Sequence, residues 1–165
     1  MQEVYLRKVE DYIIRRCRLE DLPSVRWINQ VSLPENYSNF FFEEIYREFP
    51  EGFIVAEKDN RVVGYIMSRI EYGFSNIKKF SLARKGHIVS IAVLEAHRGK
   101  GLGKALLEEA LVSMKKRDCS EVYLEVRASN FQAINLYKKY EFKIVSRIES
   151  YYRDGEDAFL MSKAL

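Results

Sequence analysis

The chain has 165 residues, 47% hydrophobic and 31% charged, the balance of a single globular domain over residues 1–165 and not of a disordered chain. Its 27 basic and 24 acidic side chains leave a net charge of only +3, which argues against a nucleic-acid partner. The two cysteines, Cys17 and Cys119, cannot build a disulfide framework and have no Cys/His spacing for zinc, so a reducing, cytoplasmic setting is expected.

Residues 1–10 alternate charged and apolar side chains and lack an apolar signal core. No later stretch approaches the roughly 18 apolar residues of a membrane span. Residues 12–18 read as a short strand. Glu20 and Asp21 then open a helix to about Ser32, with Leu22, Val25, Ile28 and Val31 at helical spacing. Pro34 breaks it, and Ser38 caps a second helix that ends before Pro50 and Gly52. Residues 53–58 and 61–72 form a hairpin around Asp59-Asn60. Residues 73–85 show no period and are expected as a loop.

Residues 86–94 are nearly all apolar, as in a central strand covered on both faces. After a glycine-rich turn comes a helix with Leu102, Leu106, Ala110 and Met114 on one stripe. Residues 121–127 read as a strand and 130–140 as a helix with Ala133, Ile134 and Tyr137 on one side. Residues 142–151 and 156–161 form a last hairpin around Asp154-Gly155. The order β-α-α-β-β-β-α-β-α-β-β implies an α/β fold: a mixed central sheet of about seven strands, its middle strands parallel, with helices on both faces.

The turn Arg98-Gly99-Lys100-Gly101-Leu102-Gly103 carries the chemistry. A glycine-rich turn at a helix start presents unpaired N–H groups and the positive end of the helix dipole, an arrangement suited to phosphate. Arg98, Lys100 and Lys104 add positive charge. A nucleotide-hydrolase loop requires G-x-x-x-x-G-K-[ST], but Arg98 replaces the first glycine and Ala105 the hydroxyl. A dinucleotide fingerprint fails too, because Lys104 stands at its third glycine.

Arg98, Gly101 and Gly103 do fill [QR]-x-x-G-x-[GA], the pyrophosphate loop of the GNAT superfamily, which this sequence resembles. Asn130, Ala133 and Tyr137 give N-x-x-A-x-x-x-Y, similar to that family's second cofactor motif. KKYEF at 138–142 is similar to its Y-x-K-x-G-F ending, with Tyr140-Glu141 where glycine is commoner, so a less sharply turned helix end is expected. LPENY at 33–37, GHIVSIAV at 86–93, YLEVR at 123–127 and YYRDGEDAFLM at 151–161 extend the resemblance along nearly the whole chain. They resemble RimI/Ard-type N-terminal protein acetyltransferases, especially archaeal ones.

The resemblance implies a GNAT fold in which the parallel strands splay and hold acetyl-CoA, with the pantetheine arm along Ile91, Ala92 and Val93. The Val93 N–H would polarise the thioester carbonyl. Arg98, Gly99, Lys100, Gly101, Leu102, Gly103, Lys104, Asn130, Ala133 and Tyr137 would complete the cofactor site. The implied reaction is direct attack of an amine on the thioester, without an acyl-enzyme. Tyr137 would protonate the leaving thiolate; a bare tyrosine at this helical spacing is otherwise a core aromatic. His87 and Glu125 would order a water beside the amine; otherwise they are a strand-end hydrogen bond and an ion pair with Arg127 or a lysine. A metal held by these two ligands alone makes a poor site, so none is expected.

Leu33, Pro34, Glu35 and Tyr37 would form one wall of a peptide groove and Tyr151 and Tyr152 the other; otherwise they are an interhelical loop and exposed hairpin aromatics. An α-amine, with a pKa of about 7.7–8.0, is neutral in roughly one molecule in seven at pH 7, against about four lysines in ten thousand. It therefore needs only a modest base. The expected substrates are protein N-termini starting with Ser, Ala and some Met, with a ribosome or an auxiliary subunit left open as partner and no membrane or nucleic acid. Lysine side chains or small-molecule amines stay open as alternative acceptors, and a non-catalytic CoA-binding module as another class.

Overall fold

The computed structural model describes residues 5–165, so the first four residues of the 1–10 segment lie outside the described residues. In chain order the elements are β1 (Tyr5–Val9), β2 (Tyr12–Arg16), α1 (Leu22–Ser32), α2 (Asn39–Glu48), β3 (Ile54–Lys58), β4 (Arg61–Phe74), β5 (Leu82–Val93), α3 (Leu102–Lys116), β6 (Glu121–Arg127), α4 (Phe131–Lys139), β7 (Lys143–Ile148) and β8 (Ala158–Ala164). Short 3₁₀ turns occupy Leu19–Asp21, Pro50–Gly52 and Glu95–His97. The strands form one eight-stranded sheet in the order β1-β2-β3-β4-β5-β6-β8-β7. β5 and β6 run parallel in the register Lys85↔Glu121, Gly86↔Val122, His87↔Tyr123, while β1–β2, β2–β3, β3–β4, β6–β8 and β7–β8 are antiparallel. The sheet is mixed, as the element order implies.

The eighth strand is the one the sequence conceals. β1 reads YLRKV, too charged to stand out, and it pairs with β2 around Glu10, which turns with a φ of 51°. The 73–85 segment is also more ordered than its composition suggests. β4 continues to Phe74 and β5 begins at Leu82, leaving a short connection. Asp59 and Asn60 both adopt left-handed φ, 50° and 64°, the paired conformation that a two-residue hairpin turn requires.

The residues fall into two compact units: one runs up to Arg69 with Ile88–Met114, the other comprises Ile70–His87 with Lys115–Leu165. In the first, α1 and α2 pack Leu22, Val25, Ile28, Phe42 and Ile45 onto Val55, Tyr65, Met67 and Ala92 of the sheet. The neighbouring Ile54, Ala56 and Ile66 point the other way and are equally buried, so both sheet faces are covered there. α3 buries the expected Leu102, Leu106, Ala110 and Met114. In α1, Val31 is exposed and polar Asn29 is buried in its place.

Glu20 and Asp21 stand at the start of α1, as expected, and Asp21 is tied down electrostatically: it is buried and takes two bonds from the buried Arg15 guanidinium, at 2.7 and 3.0 Å, with a third from the Arg18 N–H at 2.7 Å. Burial alone would raise the Asp21 pKa, but these donors outweigh it and hold the carboxyl below its ordinary value. Ser38 behaves as expected, capping α2 by accepting from the Phe41 N–H.

Candidate active site

His87 and Glu125 come together. The His87 Nε2 lies 2.7 Å from Glu125 Oε1, close enough for a direct bond with no water between them. The register explains the meeting: His87 sits opposite Tyr123, and Glu125 is two residues further along the same face of β6. The imidazole stacks on the Tyr123 ring with centroids 4.2 Å apart and planes 7° from parallel. Its Nδ1 lies 3.0 Å from Glu71 Oε2, and the Tyr123 hydroxyl donates to Glu71 Oε1. The ring is thus bracketed by two carboxylates and backed by a phenol, while Lys85 stands over the Tyr123 ring at 4.9 Å. Glu71 and Tyr123 were not singled out from sequence. The period of two was a usable signal for Tyr123, since Tyr123, Glu125 and Arg127 must share one face of β6.

Arg127 does not pair with Glu125. It bonds Asp154 and Glu156, each at 2.8 Å, and covers the Tyr152 ring at 4.2 Å. This ties the 149–157 loop to the end of β6. Tyr151 and Tyr152 meet edge-on at 4.9 Å, with Tyr151 half exposed.

The 98–103 loop has the predicted form. Gly99 and Gly101 adopt φ of +76° and +83°, where a side chain is strained. Gly103 has neither that backbone nor a crowded neighbour: a Cβ there would meet nothing within 4 Å. A glycine demanded by neither conformation nor packing is consistent with space kept open for a ligand. Arg98, Lys100 and Lys104 are exposed around the loop, and the Arg98 Nε donates to the Val93 carbonyl at 2.8 Å, fastening the loop to the end of β5. In β5, Ala92 is buried in the core beneath α1 and α2, which leaves Ile91 and Val93 on the opposite face. The donors and the open space fit a pyrophosphate at the start of α3.

Asn130 is the N-cap of α4, its side chain accepting from the Ala133 N–H at 3.2 Å. The N-x-x-A-x-x-x-Y spacing thus has a local structural basis as well. Tyr137 is 6% exposed, and burial pushes its phenol up to about 12. The helix end is fully turned, contrary to the expectation from Tyr140-Glu141. Glu141 takes the left-handed conformation itself, φ 69°, and the Phe142 and Glu141 N–H groups bond the Tyr137 and Lys138 carbonyls. The Phe142 ring then packs against Tyr137 at 5.7 Å, completing a Schellman turn with glutamate in the glycine position.

The 33–37 segment is held by asparagines. Asn36 donates to the Leu33 carbonyl and to Asn29, while Asn29 donates to the Glu35 carbonyl at 3.0 Å and the Tyr65 hydroxyl at 3.1 Å. Tyr65 in turn bonds Ser90 of β5 at 2.7 Å. Leu33 and Tyr37 pack on the α1/α2 core, the Tyr37 hydroxyl reaches the Val89 carbonyl at 3.4 Å, and Pro34 is exposed. The loop shape therefore rests on a buried polar network in addition to Pro34.

Cys17 and Cys119 are buried, and desolvation raises both thiols, an environment opposite to that of an activated nucleophile. Among the described residues no cluster of His, Cys, Asp or Glu could hold a metal ion, and no helix is long and apolar enough to cross a membrane.

The model of the acetyltransferase (GNAT) family matches residues 19–142. An N-alpha-acetyltransferase of Saccharolobus solfataricus is 52% identical over 160 residues, covering 96% of each chain. The N-terminal acetyltransferase A complex catalytic subunit NAA10 of Arabidopsis thaliana is 37% identical, over 92% of this chain and 77% of its own. The solved structure of Arabidopsis thaliana Naa50 in complex with the bisubstrate analogue CoA-Ac-MVNAL superposes with a TM-score of 0.78 at 28% identity, over 94% of this chain and 99% of the other.

Proposed function

This chain belongs to the acetyltransferase (GNAT) family, and we propose that it works as a single-domain, acetyl-CoA-dependent N-α-acetyltransferase of protein N-termini, favouring Ser and Ala starts. The observation that carries the reading is the His87–Glu125 contact, a base suited to an α-amine. Acetyl-CoA supplies the acetyl thioester. The backbone of the 98–103 loop, with Lys100 and Lys104, would hold its pyrophosphate, and the Ile91–Val93 backbone its pantetheine arm. Glu125 and His87 take the proton that the attacking amine releases. Tyr137, kept protonated by burial, supplies the proton that the departing thiolate needs. Because His87 and Glu125 touch, they act as one base, the pair that orders a water beside the amine.

The relative in Arabidopsis thaliana is named as the catalytic subunit of a complex. We extend that to a cytoplasmic setting in which an auxiliary subunit or the ribosome delivers nascent chains. The test is a panel of peptides beginning Ser, Ala, Thr, Met-Leu and Met-Glu, with lysine-only controls and acetylation sites mapped by mass spectrometry. Acetylation confined to lysine Nζ would overturn the reading.

Two predictions follow from the binding surfaces. Gly103→Leu adds a side chain into open space, so the fold and melting temperature survive, yet acetyl-CoA affinity falls by at least about tenfold, roughly 1.4 kcal/mol. Calorimetry giving unchanged affinity would remove the loop from the cofactor site. Glu35 is proposed to read the first residue, its carboxylate attracting the α-ammonium and accepting from a Ser hydroxyl. Glu35→Val therefore shifts the Ser-to-Met-Leu ratio of kcat/KM by about tenfold toward Met-Leu. An unaltered ratio would make 33–37 a scaffold loop.

A further inference from the structure

Glu71 lies near the end of β4, outside every motif that points to function. Its Oε2 lies 3.0 Å from His87 Nδ1 and its Oε1 accepts from the Tyr123 hydroxyl. A neutral imidazole has one N–H and one lone pair. A carboxylate at Nδ1 holds an N–H on that side, and the 2.7 Å contact between Nε2 and Glu125 is a hydrogen bond in which one proton is shared between imidazole and carboxylate. Tyr123 contributes twice: its hydroxyl fixes Glu71, and its ring, stacked at 4.2 Å, fixes the plane of the imidazole. The nearby Lys85 ammonium is engaged elsewhere, over the Tyr123 ring and with the Phe74 carbonyl.

We propose that Glu71 is a positioning residue for acetyl transfer that acts through His87. It holds the proton on Nδ1 and stabilises the imidazolium that forms when the base accepts the amine proton. The inference rests on the reading of His87 and Glu125 as that base. During the step the amine N–C bond forms and the thioester C–S bond breaks. One amine N–H bond also breaks, and its proton goes to the Glu125–Nε2 pair. The thiolate takes the Tyr137 proton, and Glu71 itself neither gains nor loses one. Partners that orient a metal-ligating histidine through its second ring nitrogen are commonly worth about 10–100-fold, and a loss of that order is expected for the same orienting bond here.

The experiment is single-turnover acetyl transfer by Glu71→Gln, which keeps the shape and removes the charge. The rate is expected to fall about 10–100-fold while KM for acetyl-CoA and for peptide stay unchanged. Placed in a His87→Ala background, Glu71→Gln should cost nothing further, because a residue acting through His87 has nothing left to act on. A full rate in Glu71→Gln, or the same loss with and without His87, overturns the proposal; the second result would mark a structural strap. If Glu71→Gln melts early, Tyr123→Phe, which removes the donor to Glu71 and keeps the ring, is judged by the same two criteria. His87→Ala at full turnover would instead sink the base assignment, so the two failures are distinguishable.

Discussion

Tyr137→Phe is expected to lower kcat by about 10²–10⁴-fold with KM for both substrates nearly unchanged, because a general acid contributes only in the transition state. The variant removes one oxygen from a ring that stays packed against Phe142, so the helix end is preserved. Burial raises the phenol to about 12, which keeps it proton-bearing across the working range. The same shift has a second consequence with a definite sign. The folded state holds this proton more tightly than the unfolded chain, whose tyrosines titrate near about 10. The stability is therefore present below pH 10 and is lost as pH rises from there through about 12. Melting curves should show wild type losing more stability than Tyr137→Phe across that window. A Phe variant with full turnover would return Tyr137 to the core.

His87→Ala and Glu125→Gln should each reduce kcat by about 10²–10³-fold, and the double variant by much less than the product. The reason is contact: at 2.7 Å the two side chains handle one proton between them, so removing either disables the same base. Glu125→Gln keeps the volume and leaves His87 facing an amide, which isolates the loss of charge from any packing defect. Strictly multiplicative losses, measured with a Ser-initiated peptide, would show that the two act in separate steps.

What could be read from the chain follows the length scale of the physics. Local features were legible: the Asp59-Asn60 turn, the Ser38 cap, the stripe of α3 and the glycines of the 98–103 loop each depend on a few neighbouring residues. Features set by distant partners were not. β1 exists because β2 offers it a ladder, and nothing in YLRKV announces that. Glu141 adopts a left-handed turn that favours glycine because Phe142 and Tyr137 close over it. Glu71 looks like one more polar residue of a strand until the pairing of β5 with β6 brings His87, Tyr123 and Glu125 to one place. Asn29 reads as a polar helix residue and turns out to carry the loop at 33–37 through Glu35 and Tyr65. In each case the deciding contact joins residues that sequence spacing cannot relate.

The sheet ends in β1 on one side and β7 on the other, and the two ends share a design. Each carries a register shift, between Tyr5 and Arg7 in β1 and between Ile144 and Ser146 in β7. Each also carries two cations, Arg7 and Lys8 in one, Lys143 and Arg147 in the other. An unpaired strand edge is a template for another chain, and irregular, like-charged edges are poor templates. The exposed Ile144 and Val145 would otherwise invite a further strand beside β7. With Arg7 ion-paired to Glu108 and Arg147 to Asp157, it is the register shifts together with Lys8 and Lys143 that make the two margins of the sheet poor templates for edge-to-edge pairing.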